Sequence, residues 1–206
     1  MPCDLNERWM TQSLVLPKRT LTQTLARAIL RVMGWKIEAT LPDANKYVLI
    51  AAPHTSNWDF PLMLLFRGAL GIHPRWAGKD TFFRGPFGGL LKKIGGIPVN
   101  RRVRTNFVDQ MVTAFRQSKD MILVIAPEGT RSLVGYWKSG FYYIALGAGV
   151  PIAMGFLDYR RKVGGIGPTF VPTGDLQADF VAIREFYAGI IGQHPHQQGE
   201  IKLRDA

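Results

Sequence analysis

Apolar residues fall in two rhythms along this chain, and each change of rhythm marks a new element. Between residues 20 and 36, Leu21, Leu25, Ala28, Ile29, Val32 and Met33 recur at helical spacing, with Arg27, Arg31 and Lys36 among them and Trp35 near the end. This predicts a basic amphipathic helix. Such a helix either packs on the domain or lies in an anionic membrane interface with Trp35 near the headgroups. The run YVLIAA (47–52), bounded by Asn45 and Pro53, reads as a buried strand, and a helix from about Asp59 to Leu70 follows it. A second helix-then-strand unit comes next. Phe107, Met111, Val112 and Phe115 share one face of a helix from Arg104 to Gln117, which leads to the strand MILVIA (121–126). A helix around Gly140–Leu146 precedes an apolar strand, VPIAMGFLDY (150–159), after which Gly164, Gly165, Gly167 and Pro168 predict a turn. The alternation implies an α/β fold: a single domain with a largely parallel mixed sheet flanked by helices, and an N-terminal amphipathic helix. Its parts are an extension (1–19), the amphipathic helix (20–36), the domain proper (37–190) and a tail (191–206) that looks too polar to add to the core.

Composition narrows the partners without choosing among them. The 206 residues are enough for one well-buried domain, and 47% of them are hydrophobic. A formal charge of +11, from 26 Lys and Arg against 15 Asp and Glu, calls for something anionic: nucleic acid, an acidic lipid surface or a phosphorylated substrate. A lone Cys3 excludes an internal disulfide and a cysteine-built metal site, and suits a reducing compartment. Residues 1–19 carry Asp4, Glu7, Arg8, Lys18 and Arg19 and show no apolar core of a secretory signal, so the domain is expected on the cytoplasmic side. The uncharged run Gly140–Leu157 is interrupted by Gly147, Gly149 and Pro151, which favours helix, turn and strand over a membrane span.

Chemistry gathers in two loops. HTSNWD follows the first strand, placing His54 and Asp59 where the carboxyl ends of strands collect active sites in α/β folds. Asp59 can fold back on the imidazole and set its tautomer, or it can cap the helix that Pro61 opens; the sequence allows both. The second strand ends in PEGTRS, where Gly129 permits close backbone approach and Arg131 offers a planar fork of donors that matches a phosphate. Glu128 and Thr130 belong to the same loop. Between the loops, residues 78–102 interleave Lys79, Arg84, Lys92, Lys93, Arg101 and Arg102 with Phe82, Phe83 and Phe87. That mixture suits stacked bases and phosphates or an interfacial lipid site, although each Phe taken singly is as well explained by the core.

Together, HTSNWD and PEGTRS resemble the paired signatures of the glycerophospholipid acyltransferase family, of the lysophosphatidate (1-acylglycerol-3-phosphate) type. That family shows a histidine and an aspartate with four residues between them, a Lys-x-Glu…Pro…Gly…Gly-x-Ile-x-x-x-Arg segment, Glu-Gly-Thr-Arg, and an apolar stretch containing Val-Pro-Ile. Here they are matched by His54 and Asp59; by Lys79, Pro86, Gly95, Ile97 and Arg101; by Glu128 to Arg131; and by Val150 to Ile152. Order and spacing agree across about residues 48–158. Asp80 offers a shorter carboxylate where the family often has Glu, and the chain is short for the family, so residues 20–36 must serve as any anchor.

The resemblance implies transfer of a fatty acyl group from an acyl thioester, on coenzyme A or acyl carrier protein, to the free hydroxyl of a lysophospholipid acceptor, most simply giving phosphatidic acid. His54 would be the base and Asp59 its partner. Lys79, Arg101 and Arg131 would hold the acceptor's phosphate, with Glu128, Gly129 and Thr130 shaping the site, and no metal or cofactor would take part. A peripheral or monotopic enzyme on the cytoplasmic face of an anionic membrane is expected, with no nucleic-acid partner. The alternatives are a different lysolipid, lipid amine or lipid alcohol as acceptor, or a non-catalytic binder of anionic lipid or nucleic acid. A hydrolase is a further rival, but no Gly-x-Ser-x-Gly elbow is present to support a covalent serine route.

Overall fold

The chain is described from a computed structural model covering residues 20–99 and 107–204. Among these residues, seven strands form one sheet: β1 (Lys36–Ala39), β2 (Lys46–Ala52), β3 (Pro74–Lys79), β4 (Gly96–Val99), β5 (Met121–Ile125), β6 (Ile152–Asp158) and β7 (Val163–Phe170). The helices are α1 (Leu21–Val32), α2 (Asp59–Leu70), α3 (Gly88–Lys93), α4 (Phe107–Gln117), α5 (Gly140–Ala148) and α6 (Leu176–Tyr187). Spatial order across the sheet is β1-β7-β6-β2-β5-β3-β4. Every neighbouring pair is parallel except β6 with β7, which forms an antiparallel hairpin. Long apolar strands such as β2 and β6 lie at the centre, covered on both faces, as parallel sheets require.

The alternation of side chains along β2 sorts the interior into two layers. Val48, Ile50 and Ala52 face a large cluster with α4, α5 and α6, built on Phe115, Phe141, Tyr142, Ile144 and Ile183. Tyr47 and Leu49 face the other way, toward Met63 and Leu70 of α2 and Trp76 of β3. A third cluster joins α1 to the outer side of α2 through Ala26, Leu30, Leu62 and Phe66. The two helices approach closely because Gly68 lies opposite Ala26; a methyl group at position 68 would sit 3.3 Å from the alanine Cβ.

Three expectations need correction. The amphipathic helix stops at Val32 rather than Lys36: Gly34 turns the chain at a φ of 81°, Lys36 already belongs to β1, and Trp35 is buried against Phe66 and Tyr159 rather than held out toward headgroups. The glycines at 164, 165 and 167 do not make a turn. They lie within β7, where the backbone runs so close to β1 and to α6 that a side chain at Gly165 would overlap the Glu38 carbonyl and one at Gly167 the Phe186 ring. The polar tail does add to the core, because Leu203 is buried in the large cluster, Ile201 packs on it, and the backbone of Lys202 pairs with Trp137.

Candidate active site

The loop leaving β2 is organised by one carboxylate. Asp59 stands at the first turn of α2 and is only 6% exposed. Its Oδ2 accepts from the backbone N–H groups of Thr55 (3.1 Å) and Ser56 (3.0 Å) and lies 2.9 Å from His54 Nδ1. Those two N–H groups precede the helix instead of belonging to it, so Asp59 is not an N-cap in the ordinary sense; Trp58 holds that position without a side-chain bond. The carboxylate curls the loop backwards and thereby brings His54 to itself. With the Nδ1 proton shared with Asp59, the imidazole keeps its lone pair on Nε2.

Tyr159, immediately beyond β6, donates its hydroxyl to Asp59 Oδ1 at 2.7 Å. Sequence reading missed this residue, since nothing in a tyrosine 100 positions away marks it as a partner. Burial works to raise the Asp59 pKa, but bonds from His54, Tyr159 and Ser56, with the His54 charge, outweigh it and hold the carboxyl below its usual value. Burial and the adjacent carboxylate push the Tyr159 phenol well above its ordinary range, so it remains a donor.

The loop after β5 meets the first one at Glu128, which is 8% exposed. Its Oε1 accepts the His54 backbone N–H at 3.1 Å, while Oε2 has no partner among the described residues. Burial raises the Glu128 pKa despite the bonds to backbone N–H groups. Gly129 follows at a φ of 68°, with the Lys138 side chain so near that a Cβ would press into it. Thr130 is exposed and its hydroxyl accepts from the Ser132 N–H. Arg131 is exposed on the rim of the cavity described below. The C-terminal segment ties these loops together: His194 N–H donates to Thr55 Oγ1 at 3.2 Å, and the Gln197 amide nitrogen, in the orientation that satisfies it, reaches the carbonyls of both Thr55 and Arg131 at 2.9 Å.

Beneath His54 a cavity of about 270 Å³ runs between α2 and the sheet. His54, Asp59, Arg131 and Phe82 line one part; Phe60, Met63, Leu49 and Trp76 form walls; Leu70 and Ile72 lie toward the far end of α2. It exceeds the roughly 150 Å³ of an engineered cavity that holds benzene, so a longer apolar ligand fits. Between Asp59 and Leu70 the helix advances about 16 Å at its ordinary rise.

The remaining predicted residues are placed as follows. Lys79 ends β3, which neighbours β5, so its backbone stands at the same edge of the sheet as the two loops. Arg101 lies outside the described residues. Of the three phenylalanines in the basic segment, Phe83 is buried while Phe82 and Phe87 are exposed. Among the described residues no group of three or more His, Cys, Asp or Glu is arranged to hold a metal ion.

Comparison with known proteins adds two findings. Residues 18–153 match the family model described as Acyltransferase. In fold, the chain is similar to PlsC, the 1-acyl-sn-glycerophosphate (LPA) acyltransferase of Thermotoga maritima, at a TM-score of 0.56 and 14% identity, over 81% of this chain and 73% of that one. None of the curated proteins compared matches the chain.

Proposed function

This chain belongs to the acyltransferase family, and from that premise we propose that it moves a fatty acyl group from an acyl thioester to the free hydroxyl of a lysophospholipid, with 1-acylglycerol-3-phosphate the favoured acceptor. One observation carries the reading: a His54–Asp59 pair, 2.9 Å apart, borders a long apolar cavity with an arginine on its rim. The acyl chain lies in the cavity, the thioester carbonyl stops at His54, and the acceptor's phosphate meets the planar fork of Arg131. The motif resemblance assigns Lys79 and Arg101 to the same phosphate. The thioester comes from coenzyme A or acyl carrier protein.

His54 Nε2 takes the proton of the acceptor hydroxyl as its oxygen attacks the thioester carbon. The tetrahedral oxyanion then collapses and the C–S bond breaks. The imidazolium returns its proton to the leaving sulfur, giving one ester and one free thiol. Asp59, kept ionised by its surroundings, stabilises the imidazolium without accepting the proton itself. General-base assistance of this kind contributes about 10² to 10⁴ in rate, and holding both substrates in register contributes more.

The acceptor and donor are reached from a membrane surface. Every apolar residue that the sequence assigned to one face of α1 is exposed, Leu21 at 86% and Val32 at 89%, while Ala26 and Leu30 make the contacts with α2. An outward apolar helix face, with Trp58 and Phe82 exposed beside the site, suits peripheral attachment. Among the described residues no helix is long and apolar enough to cross a membrane.

Purified protein offered both thioester donors, with lysophosphatidate and with a lysophospholipid lacking the phosphate monoester, tests the reading. Turnover is expected to vanish in a folded His54→Ala variant, and Arg131→Ala is expected to raise the KM for lysophosphatidate at least tenfold. Unchanged turnover in the first variant rules out the base; unchanged KM in the second rules out the phosphate pocket.

A further inference from the structure

The dyad has a third member, which reaches it from just beyond the neighbouring strand β6. Tyr159 connects β6 to the loop before β7, and its backbone N–H is anchored to the Ile191 carbonyl at 2.9 Å. Its ring meets that of Trp35 edge-on, with centroids 5.1 Å apart and an interplanar angle of 84°. Trp35 in turn packs edge-on against Phe66 of α2 at 5.8 Å, and its N–H bonds the Leu30 carbonyl at the end of α1. The phenol is therefore seated against the Trp35 ring, which Phe66 backs in turn, before it touches the carboxylate. Asp59 has two oxygens and could rotate; Oδ2 serves His54, Thr55 and Ser56, and Oδ1 has Tyr159.

We propose that Tyr159 is a positioning residue for acyl transfer: by holding Asp59 Oδ1 it aims Oδ2 at His54 Nδ1, and Trp35 at the root of α1 holds its ring in place. This rests on the proposed role of His54 and extends it to a residue 100 positions beyond Asp59. Two physical effects follow. Orientation of the base improves, because a carboxylate pinned at both oxygens cannot swing away during proton transfer. A donor on Oδ1 also draws negative charge away from Oδ2, the oxygen that faces His54. Other charged or titratable groups that border this carboxylate and imidazole are Glu128 and Arg131 from the loop after β5, Arg67 of α2 along the same cavity, and His194, whose backbone bonds Thr55. The Tyr159 hydroxyl donates to Asp59 Oδ1 and is bonded to none of these groups among the described residues.

Tyr159→Phe deletes that oxygen and keeps the ring contact with Trp35. Its kcat is expected to fall about tenfold, the usual scale for a hydrogen bond to a charged group, with KM nearly unchanged. The acid limb of its pH profile should move to higher pH, because Asp59 then supports the imidazolium more strongly. In an Asp59→Asn background the same change should cost nothing further. Replacing Tyr159 with 3-fluorotyrosine, of the same shape and a stronger donor, should move the acid limb the opposite way. Wild-type kcat and acid limb in a folded Tyr159→Phe protein would overturn the proposal. So would an equal loss in the Asp59→Asn background, which is the signature of simple packing, or the absence of any limb shift with fluorotyrosine. The His54 reading is judged separately: if His54→Ala is inactive while Tyr159→Phe behaves as wild type, only the positioning role fails.

Discussion

Glu128 shows at the scale of one residue how a site stores a cost. It is buried, and one of its two carboxylate oxygens accepts the His54 N–H while the other has no partner among the described residues. Such a group favours its protonated form, in keeping with the upward direction of its pKa. A raised folded-state pKa means that its contribution to stability is complete below the unfolded value and is lost as pH rises through the folded value. Glu128→Gln keeps an oxygen for His54 and abolishes the titration. Urea midpoints of the variant, relative to wild type, are therefore expected to improve as pH rises from the acid range to neutrality; a constant difference across pH would show that Glu128 does not titrate in that window. Residue types at positions 54, 59, 128 and 131 were legible in the sequence as candidate chemistry because each belongs to a short polar segment that follows an apolar strand. The unpartnered oxygen of Glu128 was not, because it depends on what packs around it.

Elements repeat this division. Helix α2 begins and ends where its periodicity and Gly71 place it, since the turn at a φ of 71° is one glycine adopts without strain. Helix α1 is capped by Thr20, whose hydroxyl accepts the Gln23 N–H while the Gln23 side-chain oxygen accepts the Thr20 N–H. Which side of α1 faces inward could not be read from periodicity. The helix turns its small and medium residues, Ala26 and Leu30, toward Gly68 and Phe66, and leaves the larger apolar stripe outside. Changing Leu25 and Val32 together to Glu should leave thermal stability nearly unaltered, as both are exposed, and should abolish sedimentation with anionic phospholipid vesicles. Loss of several kcal/mol of stability instead would mean the stripe is covered by protein, as happens with core truncations of this size.

At the scale of the whole molecule the sheet makes the cavity. Parallel pairing of β2 with β5 and β6 brings the His54 loop beside the Glu128 loop, and α2 roofs one face of the sheet without filling the space below it. An extended acyl chain laid along the roughly 16 Å of α2 spans about a dozen carbons, taking carbon–carbon bonds of ~1.5 Å in zigzag. Met63 lies on the wall between His54 and Leu70. Met63→Trp should shorten the preferred donor by several carbons in competition assays among thioesters of graded length, with kcat for the shortest donors maintained. An unaltered preference would place the acyl chain elsewhere.

Strands β2, β5 and β6, helices α1, α2, α4 and α5, the largely parallel sheet and the two reactive loops were legible in the sequence, because periodicity, turn residues and strand-end position are local properties; β1, β3, β4, α3 and α6 were not read there. The glycine-rich β7 read as a turn, since its glycines answer to β1 and to Phe186, neighbours invisible in a linear reading. The polar tail read as surface, yet Leu203 enters the core and Gln197 bridges both reactive loops. Tyr159 carried no signal at all. Each of these was decided only by tertiary structure, for one reason: a hydrogen bond or a close approach between residues of different elements is set by where the sheet carries them, and local patterns do not encode that placement.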